Sequence, residues 1–189
     1  MKWPFIGLVA VFAAAIVGGG IAALCRRRPN IETDDIDGGV VKRYWADVPK
    51  VIKSTEIVTF HFEISLFAAC KTDGLGHRVY TLDAALKAGE VLVKYDWYDR
   101  QGGRDKGEYK ADADFMTRLQ EIVAAHNFAQ HNGYYHTVSG LPDMYGESLD
   151  IIYASGERIY VHDNQSCFLP HEAEKALIML FGAATKLEH

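Results

Sequence analysis

Between residues 149 and 184 the chain changes its periodicity in mid-run, and this limits the possible fold more than any other stretch. Leu149, Ile151 and Tyr153 alternate with Asp150, Ile152 and Ala154; Ser155-Gly156 breaks the run, and Ile159 and Val161 resume it. A period of two on both sides of a glycine turn predicts a β-hairpin. After Pro170, the residues Ala173, Ala176, Leu177, Leu180 and Phe181 recur at helical spacing, so an amphipathic helix closes the segment. The polar loop 163–169 is thereby held between two packed elements.

The same logic extends upstream. Phe60, Phe62, Ile64 and Leu66 alternate with Thr59, His61, Glu63 and Ser65, which predicts a strand over 57–67 with one buried and one polar face. Further strands are predicted over 77–82 and over 90–98, where Val91, Val93, Tyr95 and Trp97 share a face; 83–89 is read as a loop or one helical turn. Residues 101–107 form a charged, glycine-rich turn. They lack the GxGxxG or GxxxxGK[ST] spacing of a phosphate cradle, and 108–111 return as a strand. Asp112 or Asp114 caps a helix running to about His126, with Phe115, Leu119, Ile122 and Val123 toward the core. The connector 127–146 is rich in loop residues and in aromatics, Phe128, Tyr134, Tyr135 and Tyr145, that pack over the sheet. Residues 40–53 read as a short helix or an extended lead-in, because Pro49 interrupts either pattern. The expected fold class is α+β: a mainly antiparallel sheet of about five or six strands with two main helices on one face, preceded by one N-terminal transmembrane helix.

No charge occurs from Trp3 to Cys25, and the segment is long enough to cross a hydrocarbon core of roughly 30 Å as a helix. Three fates are consistent with it: an uncleaved anchor, a cleaved signal peptide, or a lipoprotein signal ending at Cys25. The bulky Leu24 before that cysteine and the length of the apolar run favour the anchor. Arg26-Arg27-Arg28 outweigh Lys2, so the positive-inside rule places the folded part in the cytoplasm, with a periplasmic or extracellular position as the alternative. The expected organisation is an anchor or signal over 1–28, a juxtamembrane linker over 29–39, a single domain over 40–186, and an expression-tag remnant, Leu187-Glu188-His189.

Four of the 20 lysines and arginines precede Pro29, which leaves 16 basic against 25 acidic side chains and a formal charge of −9 beyond it. An acidic domain repels phosphate backbones, so nucleic acid is not an expected partner. Three cysteines, Cys25, Cys70 and Cys167, cannot build a disulfide framework, although one Cys70 to Cys167 bridge is open to a domain outside the cell.

Candidate chemistry gathers at two histidine clusters. His126, His131 and His136, five residues apart and near Asp143 and Glu147, are the candidate metal ligands, but a helical zinc pair needs a separation of about four residues. His162, Cys167 and His171 flank the loop 163–169, where a thiol near imidazole is a candidate nucleophile or, with both histidines, a metal site. No nucleophile signature surrounds Cys167, and a cysteine beside Phe168 is ordinarily a small buried hydrophobe. On the polar strand faces, His61 with Glu63, and Lys94 with Asp96 and Tyr98, form an acid–base pair only if they meet in a cleft.

Asn132-Gly133-Tyr134, then Leu149, Ile151, Tyr153, Gly156 and Ile159, then Asn164 and Phe168-x-Pro170 before a helix resemble an uncharacterised bacterial domain family over about the last third of the chain. In that family a Trp-(Asp/Asn)-Gly-(Phe/Tyr) element precedes a hairpin, a Gly-Ser-Asn turn and an aromatic-Pro helix start. Here His131 replaces the tryptophan, Tyr145 precedes Gly146 where an aspartate is usual, and the turn 163–167 is longer. The resemblance implies an α+β domain and carries over no catalytic or binding residue.

These observations predict a membrane-anchored, non-enzymatic domain that binds a protein, peptide or envelope component and uses no cofactor. The alternative is a Cys/His-dependent enzyme or metal-binding protein centred on 162–171.

Overall fold

The described residues form eight strands, several of them on the period-two alternation: β1 (Val40–Tyr44), β2 (Ile57–Ser65), β3 (Arg78–Lys87), β4 (Glu90–Asp99), β5 (Arg104–Ala111), β6 (Tyr134–Val138), β7 (Gly146–Tyr153) and β8 (Arg158–Asp163). Two helices accompany them, α1 (Phe115–Ala125) and α2 (His171–Leu180), with a short 3₁₀ turn, Phe128–His131. The computed structural model describes residues 39–69, 72–112, 114–139 and 146–183, all within the unit Asp34–His189. The strands form one sheet in the order β1-β6-β8-β7-β2-β3-β4-β5, antiparallel throughout except where β6 runs parallel to β8.

Directly opposed residues in adjacent strands share a face of the sheet. Phe60 therefore lies beside Ala84 and Ile151, Phe62 beside Leu82 and Leu149, and Ile64 beside Tyr80 and Glu147. These positions are apolar apart from Glu147, and both helices pack on this face. Phe181, just beyond α2, puts its ring 5.6 Å from Phe60 and 5.2 Å from Phe115 at the start of α1. Each large side chain sealed here removes enough apolar surface to stabilise the fold by about 1.5–3 kcal/mol. The opposite face carries Thr59, His61 and Glu63 of β2 with Asp83, Lys94 and Asp150 in register, and no described helix covers it.

Several expectations are corrected. Eight strands replace five or six. Residues 83–87 continue β3 instead of looping, and Ala88-Gly89 alone makes the turn into β4, both at positive φ (50° and 82°), as a two-residue type I′ hairpin turn requires. Of the two readings of 40–53, the extended one holds at its start, where residues 40–44 form an edge strand, β1, paired with β6. β6 itself lies in the expected loop 127–146, where its half-buried residues Tyr134, Tyr135, His136, Thr137 and Val138 give no apolar alternation to read. Helix α2 fully buries Ala173, Glu174, Leu177 and Ile178 while Leu180 packs partly buried against the core, so its core side includes a carboxylate. The anchor, the linker through residue 38, Cys70, Asp143, Tyr145 and the tag residues lie outside the described residues. Among the described residues no helix is long and apolar enough to cross a membrane.

Candidate functional site

Glu147 on β7 and Asp163 on β8 are register partners on the helix-covered face, and both are 2% exposed. Burying two neighbouring carboxylates is costly unless their lone pairs are filled. Asp163 is filled completely. Its Oδ1 accepts from the Gln165 and Ser166 backbone N–H groups (2.8 and 3.1 Å) and contacts His136 Nδ1 at 3.0 Å. Its Oδ2 accepts from Ser166 Oγ (2.6 Å) and from the Tyr134 hydroxyl (3.2 Å). Burial pushes the Asp163 carboxyl up, but the Ser166 hydroxyl, the Gln165 N–H and His136 outweigh it and hold the group below the usual carboxylate range.

Glu147 is only half filled. Its Oε2 accepts from the Phe168 and Leu169 N–H groups at 2.6 and 2.8 Å, whereas Oε1 is buried without a hydrogen-bond partner. Burial, reinforced by the carboxylate of Glu174 on α2, pushes Glu147 well above its ordinary pKa despite the two backbone donors. Together the two acids clamp the loop 163–169 at both ends, Asp163 holding 165 and 166 and Glu147 holding 168 and 169. Cys167, between the clamps, is present as a thiol. One donor atom from each of Glu147, Cys167 and Glu174 lies within 4.8 Å of the others. Glu174 Oε2 is 2.8 Å from His171 Nδ1, and His171 Nε2 is 3.3 Å from Asp73 Oδ2 but not aligned for a hydrogen bond.

The sheet therefore separates the expected trio His162, Cys167 and His171. His171 borders the acid cluster, but His162 follows Val161 in the alternation and faces the opposite side, where Thr137 Oγ1 is 3.2 Å from its Nε2. His126, His131 and His136 do not converge either. His126 caps α1, His131 lies 5.6 Å from the Phe168 ring with its pKa lowered by burial and by Lys50, and His136 is committed to Asp163. Among the described residues Glu147, Cys167 and Glu174 are the one ligand group of three. Sequence reading missed Glu174 because helical periodicity marks apolar positions, and a charge on the buried side reads as a flaw in the pattern.

On the uncovered face the charged residues pair across strands: His61 with Asp83 (2.8 Å), Lys94 with Glu108 (2.9 Å), Arg104 with Asp96, and Arg158 with Asp150 through two bonds of 2.7 and 2.5 Å. His61 contacts Asp83 through Nδ1 and Lys94 pairs with Glu108, and these four groups line one shallow hollow with Asp150. At the β1-β6-β8 end the character changes. Tyr135 stacks on His162 with ring centroids 5.0 Å apart, and Trp45 lies 6.1 Å from Tyr135 and 6.4 Å from Tyr160. The Arg158 guanidinium sits 5.1 Å over Tyr160. The Trp45 backbone is fixed by a 3.0 Å bond from its N–H to the Gly133 carbonyl. The side chain of Asn132 accepts from the Tyr160 N–H and donates to the Pro49 and Arg158 carbonyls, which ties the segment after β1 to β8. All four aromatic side chains of this patch are half-buried.

The chain is thus an α+β domain whose mixed, mostly antiparallel sheet carries two helices on one face and an aromatic patch among ion pairs on the other. Compared with family models, curated proteins and solved structures, it matches none of them. The chemistry of both clusters accordingly rests on their own geometry.

Proposed function

We propose that this is a membrane-anchored, non-enzymatic recognition domain that binds a protein or peptide through its uncovered sheet face, centred on Trp45, Tyr135, Tyr160 and His162. The observation that carries the reading is the aromatic patch itself. Tryptophan and tyrosine supply large contact areas at small entropic cost and dominate binding hot spots, especially when ringed by polar groups that exclude water. Here Arg158 and Asp150 stand beside the rings, and the backbone under them is tied down by Asn132 and Gly133. A pre-organised patch loses little freedom on binding. The uncharged segment 3–25 holds the domain at a membrane, and the arginine triplet favours the cytoplasmic side. The resemblance of the last third of the chain to an uncharacterised bacterial domain family fits a domain of this kind.

Quantitative affinity capture from solubilised native membranes tests the reading, with the full chain compared with the double variant Trp45→Ala, Tyr135→Ala. A specific protein recovered by the wild type and reduced at least about tenfold by the variant, equivalent to about 1.4 kcal/mol, supports it. Equal recovery by both, with the variant folded by circular dichroism, overturns it.

A further inference from the structure

The cluster on the helix-covered face is independent of that reading. We infer that Glu147, Cys167 and Glu174 form a site for a thiophilic divalent cation of the zinc class. The three residues come from β7, the loop 163–169 and α2, so their convergence is a product of the fold and not of one acidic run. Their donor atoms lie within 4.8 Å of one another. Around a tetrahedral zinc, with Zn–S of about 2.3 Å and Zn–O of about 2.0–2.2 Å, donors stand roughly 3.3–3.8 Å apart, so closure requires side-chain movement of about 1 Å.

The second observation is the orphan oxygen. Glu147 is 2% exposed, its Oε2 is held by two backbone N–H groups, and Oε1 has no hydrogen-bond partner. Buried carboxylate oxygens are seldom left so; the Glu147 and Glu174 carboxyl groups are close enough to share a hydrogen bond when one of them is protonated, and a cation would take the place of that shared proton. Neighbouring groups orient the ligands as outer partners do in metal sites: the Phe168 and Leu169 N–H groups fix Glu147, and His171 Nδ1 fixes Glu174 at 2.8 Å. A thiolate among the donors discriminates against Mg²⁺ and Ca²⁺, which take oxygen ligands, and favours zinc or a similar transition ion.

The test uses the full chain in detergent, without appended histidines, titrated with Zn²⁺ or Co²⁺ alone. The expected result is uptake of about one equivalent, with a sulfur-to-cobalt charge-transfer band in the Co²⁺ form. Cys167→Ser removes the band, and Glu174→Gln weakens Zn²⁺ binding by more than about 100-fold, since outer-shell losses alone cost about 10–100-fold. Circular dichroism confirms that each variant is folded; if Cys167→Ser does not fold, Glu174→Gln carries the test. No stoichiometric uptake by the folded wild type, a band that survives Cys167→Ser, or Zn²⁺ affinity in Glu174→Gln within about twofold of wild type would each overturn the site.

Discussion

At the scale of single residues, two acids on adjacent strands carry opposite burdens. Asp163 gathers the backbone and side-chain donors of its own loop and of β6, so replacing it strands several buried polar groups at once. Asp163→Ala should destabilise the domain by about 3 kcal/mol at neutral pH, measured by urea unfolding. The sign of its pH dependence follows from a folded pKa below the ordinary 3.8. Its ionised form is the one the fold favours, so the contribution is complete above that ordinary value and is lost as pH falls through the folded one. Acid titration of wild type against Asp163→Ala should therefore show the gap in stability narrowing below about pH 3.8. Ala88 offers the reverse effect. It is a non-glycine residue at φ 50° beside Gly89, where Asn-Gly is the favoured pair. Ala88→Asn should raise stability by about 0.5–1 kcal/mol, seen as a higher thermal midpoint.

Among the elements, the loop 163–169 shows how a largely polar segment is held, its acids clamping the backbone while Cys167, Phe168 and Leu169 pack against the core. Gly146, at the start of β7, makes room for it: a Cβ there would stand 2.6 Å from the Asp163 carbonyl oxygen and 2.8 Å from the Asn164 carbonyl carbon. These are backbone atoms that cannot rotate away. Gly146→Ala should cost about 1–3 kcal/mol and accelerate amide exchange at Gln165, Ser166, Phe168 and Leu169 more than in β2. Equal acceleration in both places would contradict the clamp. This close approach also marks where the sequence stops being readable. β2, β4, the β7-β8 hairpin and both helices were legible because each has one apolar and one polar side, and that alternation is local. β1 and β6 were not, because they form a sheet edge stitched by Asn132, Asn164 and Gly133, with little apolar contrast. The loop 163–169 was singled out correctly as a segment, but its partners were not. Glu147 and Glu174 reach Cys167 only through strand register and helix rotation, both long-range properties, whereas His162 is turned away by the same two-residue period that defines its strand.

For the whole molecule, the two faces of one sheet divide the work. The covered face supplies the core and the Glu147–Cys167–Glu174 cluster. The uncovered face is a set of paired charges ending in four aromatic side chains. The proposed membrane anchoring and cytoplasmic side rest on the uncharged segment 3–25 and on charge alone: a reporter enzyme active only in the cytoplasm, fused after Lys186, should be active, and an outside result would reverse the weight placed on the arginine triplet.

Site-specific photo-crosslinking in native membranes tests the recognition reading most directly. A photoreactive residue is placed at Tyr160 in the patch and, separately, at the exposed Met179 on α2. A discrete adduct from position 160, absent from position 179 and abolished by Trp45→Ala, is the predicted result. No adduct from position 160, or the same adduct from both positions, would contradict the claim that this face of the sheet is the one that binds.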